Sequence, residues 1–441
     1  MTTMPPDSAP LPFEQTEALE SVSRGAVDIL DIAARLEASG VTDRMARQSH
    51  GSADVFALAA TLRHDATWSE RSAGGRPAWG ELGEAIRRAV LLVAGVLLAS
   101  AVLGHLGLAP TSVWLVGSLG WVGGQIVSAI AWTRLGWGQG GSGLRRGGST
   151  ALVVLLAAGV AGALVGRNSP APVTSTVFTL GWVAYAMAVS LLVCARRTQA
   201  ALAVVLGSLL VMGAALFLHG TWPTAVVLAA AAAAACAVVA LAARTVLSAG
   251  HPALPDRVDL LSAAPAATQA TLLAASLLLL LQTVPGTSAT PIVAASVAGA
   301  ALADPAIAAL RSHLRTSAGR IYVVALAARR ARQAAVLAAA STAAVSALVA
   351  ATVVIALRAG APDWTTAVLP AAAFTAVATT SAALTAFGAP WRAALAAASA
   401  VVYAVTALVS IALATVVVFP MALIAAITLL LHRVSDPRVA V

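Results

Sequence analysis

The sequence predicts an all-α, polytopic integral membrane protein of about twelve transmembrane helices in two sets of six, preceded by a short helical cytosolic module. Three observations carry this. Apolar residues make up 59% of the chain and charged ones 10%, too little polar surface for a soluble fold of this length. Of the 18 Asp and Glu, only Asp256, Asp259, Asp304, Asp363 and Asp436 lie beyond residue 85. All 27 basic residues are arginine, and they recur between long apolar runs.

A helix needs about 20 apolar residues to cross about 30 Å of hydrocarbon. Such runs lie near 89–108, 112–133, 149–166, 174–195, 199–219 and 222–243, then near 267–284, 289–310, 335–357, 365–387, 393–411 and 414–432. The last two join without an obvious turn signal, but their combined length is about twice a span, so two helices fit better than one. The arginines test this count, because cytoplasmic loops collect positive charge. With twelve spans and a cytosolic N-terminus, only Arg167 and Arg358 fall outside, and both chain ends lie in the cytosol of a cell whose plasma membrane the protein crosses many times. Trp114, Trp222 and Trp364 then mark the outer interface, and Trp132, Trp137 and Trp391 the inner one.

The longer inner connections are 134–148, 244–266 and 311–334. The middle one divides the spans six from six, and the others follow the second span of each set, carrying the most arginine. The expected organisation is therefore a helical module over 1–65, a linker over 66–88, a first transmembrane half over 89–243, a connection over 244–266, a second half over 267–432 and a tail over 433–441. Both halves start inside, as parallel repeats do. Gly120 with Gly124, and Gly162 with Gly166, form small-residue motifs suited to close helix contacts. Cys194 and Cys236, lacking CxxC spacing, read as buried small hydrophobes.

In the front module, Ile29, Ile32, Ala33 and Leu36 repeat at helical spacing and Gly40 can close that helix. Thr42 and Ser52 are the expected caps of the next two. Three short helices invite a helix-turn-helix reading, but the charge is mixed and no basic recognition face exists, so nucleic acid is not an expected partner.

The segment GVTDRMARQSHGSADVFALAATL, and more loosely DPAIAALRSHLR, resemble parts of an actinobacterial group of polytopic proteins of unassigned function. The twelve-span, six-plus-six plan is similar to that of the multidrug/oligosaccharidyl-lipid/polysaccharide (MOP) flippases. The major facilitator superfamily shares the plan, but its loop between spans 2 and 3 has an acid ahead of the bases. Here RLGWGQGGSGLRRGG has the bases alone.

Asp304 is the one carboxylate within a long apolar run. An ionisable residue in a span is a candidate for function. It lies about 22 Å from the outer end of its span at 1.5 Å per residue, near the inner interface, and Asp-Pro is a strong helix start. The local sequence favours a cap at Asp304 with a second helix running out through Arg311 and Arg315; ion or proton coupling and pairing with an inner-loop arginine are the other readings. Gln125, near the middle of span 2, and Arg311 complete the candidates for a substrate path. In span 10, Pro370 and many hydroxyls fit either a kinked helix beside a cavity or hydroxyls bonding back to their own helix.

The absence of lysine excludes a P-loop, a Schiff-base enzyme and a kinase. An intramembrane aspartyl protease needs two buried acids, an outward-facing glycosyltransferase needs a carboxylate where only Asp363 qualifies, and no zincin or nucleophile-elbow motif appears. No catalytic residue, metal or cofactor is expected. The reading is a transporter of an amphiphile, since the spans hold almost no charge to coordinate an inorganic ion; the MOP resemblance implies a flippase for a lipid-linked saccharide. The alternative is a non-transporting scaffold whose N-terminal helices recruit a cytosolic envelope-synthesis enzyme.

Overall fold

The computed structural model describes residues 29–62, 79–106, 110–137, 139–167, 171–219, 223–282, 289–318, 324–356, 368–410 and 413–434. Regular structure among them is helical throughout.

The front unit holds α1 (Ile29–Ala38), α2 (Asp43–His50) and α3 (55–62). Ile32, Ala33, Leu36, Ala46, Val55, Leu58 and Ala59 form its core. Gly40 closes α1 at φ 90°, a left-handed position that favours glycine. Thr42 caps α2, accepting from the Met45 N–H. Ser52 is not the next cap. Asp54 takes that place, accepting from the Ala57 N–H at 2.7 Å, while Asp43 accepts from the Val55 N–H at 3.0 Å; a carboxylate offers orphan N–H groups a stronger acceptor than a hydroxyl.

The membrane part comprises α4 (Trp79–Leu106), α5 (Pro110–Gly136), α6 (Gly140–Gly166), α7 (Pro172–Cys194), α8 (Thr198–His219) and α9 (Thr224–Ser248). It continues with α10 (Arg257–Gln282), α11 (Ala289–Ala318), α12 (Val324–Ala356), α13 (Leu369–Ala386), α14 (Pro390–Val409) and α15 (Phe419–Val434). Eleven of these are long and apolar enough to cross a membrane, and α15 is a shorter apolar helix. The protein is therefore a multi-pass membrane protein. Its helices outrun their apolar runs at the arginine-rich end. α4 begins inside the stretch expected to be a linker, and α5 and α6 leave only a short turn between them. Arginine and alanine are good helix formers, so nothing ends the helices where the hydrocarbon does.

The hidden turn between the last two spans lies at Ser410. Its backbone is extended at φ −157°, ψ 112°. Its hydroxyl accepts from the Leu413 N–H at 3.2 Å, and its carbonyl accepts from the Ala414 N–H at 3.0 Å. One serine thus caps the next helix, which enters through a π-type turn at Ala414–Val418.

The two halves repeat one packing plan. α5 lies against α6 and α7, as α11 lies against α12 and α13. α9 packs on α6, α7 and α8, as α15 packs on α12, α13 and α14. The helix ends match too. After α7, the N–H groups of Arg196 and Arg197 bond to the carbonyls of Val193 and Leu192; after α13, those of Gly388 and Ala389 bond to Thr385 and Leu384. This is one Schellman motif written twice, with Gly388 at φ 72° and Arg196 at φ 56°. Close approach in each half depends on glycine. A Cβ on Gly120 would fall 2.9 Å from Trp182 Nε1 and one on Gly124 2.7 Å from Ser190 Oγ, which seats α5 on α7. Gly162 does the same for α6 against Thr179. In the second half, a Cβ on Gly299 of α11 would collide with Thr375 Cγ2 of α13.

Candidate functional site

The halves meet along α5 and α10, and at the seam that exchanges with it under this repeat, α4 and α11 are joined by one ion pair. Each carries charge toward the arginine-rich end, built differently.

At the first seam, Asp256 and Asp259 open α10 as a reciprocal cap. The Asp256 N–H donates to Asp259 Oδ2 and the Asp259 N–H to Asp256 Oδ1, both at 3.0 Å. Two arginines of the other half close on this pair. Arg134, at the end of α5, donates from Nε to Asp259 Oδ1 at 2.6 Å and from Nη2 to Asp256 Oδ2 at 2.5 Å. Arg146, in the first turns of α6, donates from Nη1 to both carboxylates at 2.5 Å. Arg134 also donates to Gln139 Oε1 at 3.1 Å and lies 5.0 Å from the Trp137 ring centroid. The Asp259 side chain is 0% exposed and that of Arg134 10%. A carboxylate so enclosed persists only when paired and hydrogen-bonded; removing one member of such a group costs about 3–5 kcal/mol. Asp256 is at the rim, and the Asp259 N–H and the Arg146 guanidinium hold its carboxyl well below the usual carboxylate range. Apolar packing supports the same seam: Trp121 of α5 rests on a cluster that includes Leu273 and Leu280 of α10.

The second seam has one ion pair. Arg88 Nε of α4 lies 3.1 Å from Asp304 Oδ2 of α11. That N–H is not aligned on the carboxylate as a hydrogen bond. The Asp304 side chain is 51% exposed and that of Arg88 30%. The apolar clusters that hold α4 (Leu91, Ala94; Leu98, Ala101, Val102) belong to the first half, and the one that holds Ile307 and Leu310 of α11 belongs to the second.

The three sequence candidates are thereby placed. Asp304 does not start a helix: α11 runs unbroken through it, with Pro305 inside. A break in the apolar layer would orphan several backbone groups, whereas a proline removes one N–H. Asp304 is paired with an arginine, but with Arg88 of α4 and not with one of an inner loop. Gln125 is exposed on α5, one turn from Trp121 and so on the stripe turned toward the second half. Arg311 lies at the end of α13 in its own half. It donates to the Ala386 carbonyl at the end of α13 and stacks 5.9 Å from the Phe387 ring, while Arg433 donates to the Phe387 carbonyl at 2.9 Å. Cations at the negative end of α13 complement its dipole. The structure does not bring Gln125, Asp304 and Arg311 into one site. Pro370 opens α13 instead of kinking it. Its hydroxyls divide: Thr380 bonds back to Ala376, Ser381 reaches the Ala393 carbonyl of α14, and buried Thr375 and Thr379 have no partner among the described residues. Cys194 is buried, but Cys236 is exposed on α9, so the reading of both as buried holds for the first alone.

The Arg134–Arg146–Asp256–Asp259 group was not singled out by sequence, although one signal was present: two acids three residues apart ahead of an apolar run form a reciprocal cap. Those acids stand opposite the α5–α6 bases that lack one locally. Across both seams the first half supplies the cations (Arg88, Arg134, Arg146) and the second the anions (Asp256, Asp259, Asp304).

Two six-helix halves on one packing plan, joined along two exchanging seams, define a class: polytopic helical membrane proteins of the twelve-span, duplicated kind. Within that class the fold is the one seen in MATE proteins. The chain superposes on the crystal structure of a MATE in its bent conformation with TM-score 0.51 and 12% identity, covering 81% of this chain and 94% of that one. A MOP superfamily transporter from Pyrococcus furiosus aligns more loosely, with TM-score 0.47, 12% identity and coverage of 82% and 97%. No protein-family model matches the sequence, and no curated protein matches it.

Proposed function

We propose that this protein is a membrane transporter whose two halves expose a central path alternately to either side, with an amphiphile, best matched by a lipid-linked saccharide, as cargo. The observation that supports this reading is the pair of exchanging seams: a duplicated fold with its inter-half ion pairs at one end has the parts needed to open there and close at the other. The solved structures of similar fold include a MATE and a protein called a MOP superfamily transporter. Gln125 on the inter-half stripe, and the hydroxyls of Thr375 and Thr379, which have no partner among the described residues, offer hydrogen bonding without fixed charge. The arginine-rich end is the cytosolic one in this reading.

The test is reconstitution into liposomes with a fluorescent lipid-linked saccharide, quenched from outside. Protein-dependent loss of the protected fraction is expected. Equal protection in empty and protein-bearing vesicles, across saccharide and simple phospholipid probes, would leave the scaffold alternative; deletion of residues 1–65 would then abolish partner capture, whereas transport should survive it.

A further inference from the structure

The two seams differ in a way that divides their work. We infer that the α5–α10 seam is a permanent pivot and that the Arg88–Asp304 pair is the releasable latch of the α4–α11 seam. This deepens the transporter reading and rests on it for the use of the opening. The pivot side has four aligned guanidinium–carboxylate hydrogen bonds at 2.5–2.6 Å, a fully enclosed Asp259, and Trp121 seated on the apolar cluster of the second half. Parting it would strip a buried carboxylate of both its cations. The latch side has one pair at 3.1 Å with unaligned geometry, an Asp304 half open to its surroundings, and no described apolar cluster bridging the helices. Parting that contact breaks one unaligned pair and leaves no fully enclosed carboxylate behind. Rigid-body rotation of two halves repacks the interface between them, and the seam held by fewer bonds is the one that can part while the other stays closed. The end bearing the arginines therefore opens by swinging α4 from α11 about the Arg134–Arg146–Asp256–Asp259 group.

Distance measurements between spin labels on the full chain in lipid nanodiscs test this without cargo, so their outcome is independent of any transport assay. In a background with Cys194→Ala and Cys236→Ala, one pair of labels goes on Ile86→Cys and Ala309→Cys across the latch seam. A second goes on Trp132→Cys and Leu261→Cys across the pivot seam. All four positions are exposed. Asp304→Asn and Arg88→Gln should each add a longer 86–309 population and leave 132–261 unchanged. The charge exchange Arg88→Asp with Asp304→Arg should return the short 86–309 distance. The inference is overturned if neither single variant lengthens 86–309, if both distances lengthen together, or if the exchange fails to restore the short one.

Discussion

Replacing Asp259 with alanine tests the energetic core of the inter-half contact. The carboxylate, itself 0% exposed, accepts from Arg134 Nε at 2.6 Å, from Arg146 Nη1 at 2.5 Å and from the Asp256 N–H at 3.0 Å. After truncation two guanidinium groups, 10% and 21% exposed, share Asp256 alone, and the α10 cap loses half of its reciprocal pair. The expected loss is about 3–5 kcal/mol, the cost of leaving buried charge uncompensated. Equilibrium unfolding in mixed detergent, followed by circular dichroism, gives the number. Asp304→Ala is the control and should cost less than Asp259→Ala, since Asp304 has one unaligned partner and is half exposed. Asp259→Leu with Arg134→Met should recover more than half of the loss, since an apolar pair of similar volume carries no desolvation penalty. An Asp259→Ala loss below about 1 kcal/mol, with native size on gel filtration, would refute the reasoning.

Other substitutions probe the repeat and its packing. Arg196 is exposed and held at φ 56°; Arg196→Gly should stabilise by about 0.5–1 kcal/mol in the same unfolding assay, and a loss of stability would show that the arginine side chain contributes more than its strain costs. Gly299→Ala drives a Cβ into Thr375 Cγ2 and to 2.6 Å from Ser346 Oγ, so a destabilisation of about 1–3 kcal/mol is expected, and Gly299→Ala with Thr375→Ser should relieve part of it. The stability gap between the natural chain and Asp256→Asn should be constant from about pH 8 to pH 5 and shrink only below about pH 4. The Asp256 carboxyl is depressed below its ordinary 3.8, so its contribution is complete above that value and fades as pH falls through the lower folded one. A gap that closes near neutrality would contradict the assignment.

Features governed by local periodicity or spacing were legible in the sequence. Twelve apolar runs became twelve helices because a chain in hydrocarbon must satisfy its backbone within each segment. The Gly120–Gly124 and Gly162–Gly166 motifs do mark close contacts, since only a missing Cβ admits Trp182, Ser190 or Thr179 so near. Pairings set by tertiary structure were not legible. Arg134 and Asp259 stand 125 positions apart, and no pattern along the chain announces which arginine faces which acid. Asp304 illustrates a local signal defeated by context. Asp-Pro starts helices in water, but inside an apolar layer the unbroken helix keeps more hydrogen bonds, and Arg88 supplies the counter-charge a cap would have had. Ser410 shows the reverse: one hydroxyl among apolar residues was enough to end one helix and begin the next.

The segregation of charge between the halves has a consequence for assembly. Two copies of the N-terminal six helices placed face to face would set guanidinium against guanidinium at both junctions, and two copies of the C-terminal six would set aspartate against aspartate. Each piece thus rejects its twin and accepts the other. Expressed as separate polypeptides split in the 249–256 connection, the two should co-purify as a one-to-one heterodimer, with matched repulsion excluding either homodimer.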